Sequence, residues 1–142
     1  MRVLLTGLLG LFALSLPLTA QQQQETPVAK WLADFSNLPK ATRAKYINLF
    51  HQAKQAYSSG DWVICYALLE ECEMLYNKNP HLWNLRAVCL IAQNKLEEAE
   101  QELLKAKKEL PHDETTYMNI ANLHMAKGEF QQCIDVLREI ID

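Results

Sequence analysis

From Tyr46 onward, apolar residues recur at steps of three and four, and short polar corners interrupt them at regular places. Leu49, Ala53 and Ala56 fall on one helical stripe, as do Trp83, Ala87 and Leu90. Leu96, Ala99, Leu103 and Ala106 form a stripe of the same kind after a corner. The corners are Gly60-Asp61, Asn94-Lys95 and Gly128-Glu129. Gly and Asn accept the positive φ at which a helix can stop sharply. Asp61 is placed to cap the following helix through its carboxylate. Asn79-Pro80 and Asp113 mark further boundaries, with a capping residue and a proline where a first-turn N–H is not needed. No stretch alternates with period two over a useful length, so the pattern predicts helices and no sheet.

The corners also keep register. SSGDWVIC over 58–65 returns as AKGEFQQC over 126–133, and AQNKLEEA over 92–99 lies halfway between them. Frames opened at Tyr46, Pro80 and Glu114 align column by column without insertion. Leu49, Trp83 and Tyr117 are large; Ala53, Ala87 and Ala121 are identical; Cys65, Ala99 and Cys133 are small; Leu69, Leu103 and Leu137 are identical. Three copies of one helix–turn–helix unit follow, over 46–79, 80–113 and 114–142. Helix axes approach to about 8–10 Å, so one side of each crossing must be small. Ala53 against Cys65, Ala87 against Ala99 and Ala121 against Cys133 meet that need within the three units. One helix pair cannot bury both of its faces, so the units stack.

The unit resembles the tetratricopeptide repeat in its order of large apolar, small, Gly-acid-aromatic, small, Leu, small and proline positions. Unit two carries the fullest match, through Trp83, Ala87, Ala99, Leu103, Ala106 and Pro111. Unit one has Asn77 at the place of Pro111. The resemblance implies an all-α fold, a right-handed superhelical stack with three repeats and an N-terminal helix. It also implies a concave groove, lined by the first helix of each unit, that holds peptides or partner helices. In this frame the groove residues are Phe50, Lys54 and Tyr57, then His81, Asn84, Val88 and Ile91, then Met118, Asn119, Asn122 and Met125. Asn can both donate to and accept from a peptide backbone, and Met and aromatic rings adapt to apolar side chains. Members of the family that clamp a C-terminal carboxylate do so with several Lys, Arg and Asn residues. Here Lys54 is the one firm cation, and Phe50, Leu85 and Thr115 stand where polar or basic groups would be needed, which argues against such a clamp.

Ahead of the repeats, Val28, Trp31, Leu32, Phe35 and Leu38 are spaced for one face of a short helix, which Pro39 ends. A longer helix from about Lys40 leads into unit one, so residues 27–45 are expected to cover its outer end. At the other end Ile134 and Ile141 face the position of a further unit. Each would leave roughly 1.5–3 kcal/mol of burial unused, and they form a candidate self-association face for a homo-oligomer.

Residues 1–20 read differently. Met1-Arg2 supplies a charge, Val3 to Leu16 is apolar without a charge, and Pro17 to Ala20 offers a cleavage region. This is the form of a secretory signal peptide cleaved after Ala20, followed by a polar linker over 21–26. The apolar run is short for a membrane span, and an uncleaved anchor is the alternative reading. Together with the resemblance the leader points to an exported bacterial member, periplasmic or secreted. Removing it takes one of the 14 basic residues and none of the 17 acidic ones. The acidic balance has no Lys/Arg block, so neither a nucleic acid nor a membrane surface beyond the signal is expected as partner.

Candidate chemistry adds little. Cys65 and Cys133 lie two units apart, too far for a disulfide. Cys72 and Cys89 are on neighbouring helices but offset along them. The cysteines therefore read as small packing residues. His51, His81, His112 and His124 have no His or Cys partner three or four residues away on the same helix, so no metal is expected. No phosphate loop, nucleophile elbow or other catalytic signature occurs, and no cofactor or catalytic residue is assigned. Glu97, Glu98, Glu100 and Glu102 read as a solvated face. The expected protein is a non-enzymatic, exported interaction module that binds a protein or peptide in its groove. The alternative is a structural subunit that assembles through its C-terminal helix.

Overall fold

The computed structural model describes residues 27–142. The expected leader over 1–20 and linker over 21–26 lie outside the described residues. Seven helices occur among those described, and no strand: α1 (Pro27–Ser36), α2 (Lys40–Ser58), α3 (Trp62–Leu75), α4 (Pro80–Ala92), α5 (Leu96–Glu109), α6 (Glu114–Lys127) and α7 (Phe130–Ile141). α2 packs on α3, α4 on α5 and α6 on α7, and these pairs meet through α3–α4, α5–α6 and α4–α6 contacts. The result is a stack of helical repeats.

The three corners share one geometry. Gly60, Asn94 and Gly128 take φ of 79°, 58° and 75°. Each is followed by a residue whose N–H reaches back to a carbonyl five residues earlier: Asp61 to Ala56 at 2.9 Å, Lys95 to Leu90 at 2.9 Å and Glu129 to His124 at 2.8 Å. This is the Schellman closure, which satisfies carbonyls that the helix end leaves free. The residue after the turn sits at ψ of 66° (Asp61), 68° (Lys95) and 68° (Glu129), and none caps the next helix through its side chain. The expected Asp61 cap is therefore absent. At Asn79 and Asp113 ψ opens to 110° and 115°, and both side chains do cap, onto His81 N at 3.0 Å and Thr116 N at 2.8 Å.

The small columns are sealed in the crossings. Ala53, Cys65, Ala87 and Ala99 have no solvent exposure, and Ala121 and Cys133 are buried in unit three. Leu69, Leu82, Leu90, Leu103 and Leu123 fill the remaining space.

α1 ends at Ser36, short of Leu38, whose N–H closes a turn onto Phe35 O at 3.1 Å before Pro39. Its rings cover unit one: Phe35 lies 5.1 Å from the Tyr46 ring and 5.4 Å from that of Tyr76. The Tyr76 hydroxyl donates to Trp31 O at 2.7 Å.

Between neighbouring elements, polar groups reinforce the apolar contacts. Asn79 Nδ2 donates to the Tyr46 hydroxyl at 2.9 Å. Arg86 on α4 donates to Glu73 and to the Tyr66 hydroxyl on α3, with Glu102 on α5 3.8 Å away. Burial works against the guanidinium charge, but Tyr66, Glu102 and Glu73 outweigh it and raise its pKa. On α7, Phe130, Ile134 and Ile141 point to solvent.

Candidate functional site: an apolar groove across units one and two

An open cavity of about 900 Å³ runs along the first helices of the stack. Its rear wall is α2, and the helical periodicity brings Phe50, Lys54 and Tyr57 onto that wall a turn apart. α4 contributes His81, Asn84, Leu85 and Val88, and α6 contributes Thr115 and Asn119. α1 forms the near rim with Trp31, Leu32 and Phe35. The lining is chiefly apolar and aromatic and contains no carboxylate side chain. Its one firm cation, Lys54, lies 5.9 Å from the centre of the Phe50 ring.

Of the expected groove residues, Phe50, Lys54, Tyr57, His81, Asn84, Val88 and Asn119 share this cavity. Ile91, Met118, Asn122 and Met125 do not line it. Ile91 and Met125 belong to the last turns of α4 and α6, whereas Met118 and Asn122 flank Asn119 on α6 without lining the cavity; Met118 and Met125 stand exposed. The sequence frame missed the contribution of α1, because a covering helix was assigned to the outer end of unit one alone. Trp31 does both: its ring meets that of His81 edge-on at 5.9 Å, and it joins the cavity rim.

The two asparagines have a further occupation. Asn84 Nδ2 donates to Thr116 Oγ1 at 2.9 Å, and Asn119 Nδ2 donates to Asn84 Oδ1 at 3.1 Å. Thr116 Oγ1 donates in turn to Asp113 Oδ2 at 2.7 Å. This chain ties unit two to unit three on the cavity floor and uses much of the capacity a peptide backbone would otherwise engage.

A family model described as anaphase-promoting complex, cyclosome, subunit 3 matches residues 36–106, half of the chain. A tetratricopeptide repeat model matches residues 114–142. The chain belongs to the tetratricopeptide repeat family. No curated protein matches it. Tetratricopeptide repeats mediate protein–protein interaction and are typically non-catalytic modules. In this tetratricopeptide repeat protein no described helix is long and apolar enough to cross a membrane.

The cysteines are free and buried. One pair escaped the sequence reading. Cys65 on α3 and Cys89 on α4 have Sγ atoms 2.9 Å apart, Cys89 donating. Cys65 belongs to the small column of unit one, whereas Cys89 lies outside the small columns of unit two. Only the packing of one unit's second helix on the next unit's first helix joins them. The contact from Cys89 favours the Cys65 thiolate and lowers its pKa, while the same contact and burial raise that of Cys89.

Proposed function

We propose that this protein is a non-enzymatic binding module that receives a peptide segment of a partner protein in the groove between α1, α2 and α4. The observation that carries this reading is the cavity itself. It is large enough for several side chains, apolar, and walled by aromatic residues from separate helices. The segment it suits carries apolar side chains, with Lys54 favouring an acidic group at one edge. The leader-like start supports an extracytoplasmic setting, periplasmic or secreted. The test is site-specific photocrosslinking in cells of a bacterial host of the native gene. A photoreactive residue at Tyr57 or Val88 should capture one discrete partner, and the same residue at Glu98, on the α5 face, should not. Equal capture at both places would overturn the reading.

A second reading rests on α7. Phe130 (62% exposed), Ile134 (44%) and Ile141 (82%) give an apolar face through which copies could join. Light scattering separates the two. A monomer across the micromolar range removes the second reading, and a dimer dispersed by Ile134→Glu supports it.

A further inference from the structure

We propose that Cys65 and Cys89 are a disulfide site that staples unit one to unit two. The two sulfurs face each other across the α3–α4 contact at 2.9 Å, and neither residue has solvent exposure. A disulfide brings sulfurs to about 2.05 Å, so less than about 1 Å of approach separates the thiols from the bond. No comparable arrangement exists for Cys72, whose Sγ donates to Tyr46 O at 3.8 Å.

The oxidant is a donor disulfide, either a protein thiol–disulfide oxidase or glutathione disulfide. In one order of events the Cys65 thiolate attacks one donor sulfur while α3 and α4 are still apart, forming a mixed disulfide and releasing the first donor thiolate. Cys89 then loses its proton and attacks the Cys65 sulfur, closing Cys65–Cys89 and releasing the second donor thiolate; the reverse order, with Cys89 first, gives the same product. The two protein thiols are oxidised by two electrons, the donor is reduced to two thiols, and the protons lost from Cys65 and Cys89 are taken up by the two released thiolates. Because both sulfurs are sealed in the folded protein, the first attack occurs before α4 docks on α3. Afterwards the bond is shielded from reductants. It would hold α4, which carries His81, Asn84 and Val88, against unit one, and so fix the width of the groove.

The test begins with the full chain, reduced and unfolded so that every thiol is accessible, and refolds it with glutathione disulfide. Alkylation in denaturant should then find two of the four thiols blocked, and peptide mapping should join Cys65 to Cys89. Closing a loop of 24 residues should raise Tm by about 10 °C over the reduced protein. The double variant Cys72→Ala/Cys133→Ala should keep the link, and Cys65→Ala should lose both the link and the oxidant-dependent rise in Tm. Four free thiols after oxidative refolding, or a link that uses Cys72 or Cys133, would overturn the proposal.

Discussion

Asn119 on α6 donates its carboxamide to Asn84 Oδ1 on α4 over 3.1 Å, and both side chains are nearly sealed from solvent. The pair sits on the cavity floor, yet its partners are other parts of the protein. Removing one member leaves the other buried and short of a hydrogen bond, which costs about 1–3 kcal/mol. Asn84→Ala should therefore lower the urea midpoint clearly, as read by circular dichroism. An unchanged midpoint would mean that water replaces the lost partner. Substitution here would confound a test of binding, so Phe50, Lys54 and Tyr57 are the better positions to probe.

The small columns make a sharper packing prediction. Ala99 has no exposure and lies where α5 crosses α4. Ala99→Leu should cost about 1–3 kcal/mol through overpacking. Val63→Ala, at a position 69% exposed, should stay within about 0.5 kcal/mol of the parent. Parallel denaturant melts of the two variants check the contrast, and similar losses in both would count against the crossing geometry.

Arg86 joins α3, α4 and α5 through Glu73, Tyr66 and Glu102. Truncating it leaves the Glu102 carboxylate, only 10% exposed, facing Lys105 alone. Arg86→Ala should cost about 3 kcal/mol. Adding Glu102→Gln should recover part of that loss, because the nearly buried carboxylate beside the vacated guanidinium is then neutral. A double-mutant cycle with no coupling between the two would show that they act separately.

Alkaline pH should loosen the unit-one core. Burial, followed by the nearby Glu71 charge, pushes the Cys72 thiol from its ordinary 9.0 up to about 12. Burial also raises the Tyr46 phenol, against the lowering effect of the Asn79 hydrogen bond. Tyr76 is raised by burial and then by Asp34. The folded state thus holds these protons more tightly than the unfolded one. Their contribution is complete below the unfolded values and is lost as pH rises through the folded ones. The urea midpoint should be level up to about pH 8.5 and fall progressively above about pH 9. A fall that begins near pH 7 would point to other groups.

Much of the stack was legible in the sequence because the repeat fixes several residues at once. The corners at Gly60, Asn94 and Gly128 announce their positive φ by residue type, and the alanine columns announce the crossings. The Asp61 cap was not legible, since a Schellman corner sets ψ of the residue after it whatever its side chain, as Lys95 shows at the same place. The groove was legible on α2, on α4 as far as Val88 and at Asn119 on α6. Its α1 rim was not, because Trp31, Leu32 and Phe35 precede the repeat and have no counterpart in the frame. The Cys65–Cys89 contact was hidden for a related reason: it joins two different positions of successive units.

The central claim is that the cavity between α1, α2 and α4 is the binding site. Peptides selected by display against the full chain and titrated calorimetrically test it most directly. Binding should survive in Ile134→Glu and weaken about tenfold or more in Phe50→Ala and Tyr57→Ala, each loss of a buried aromatic contact being worth roughly 1.4 kcal/mol or more. Affinities unchanged in both aromatic variants, with the fold intact by circular dichroism, would contradict it.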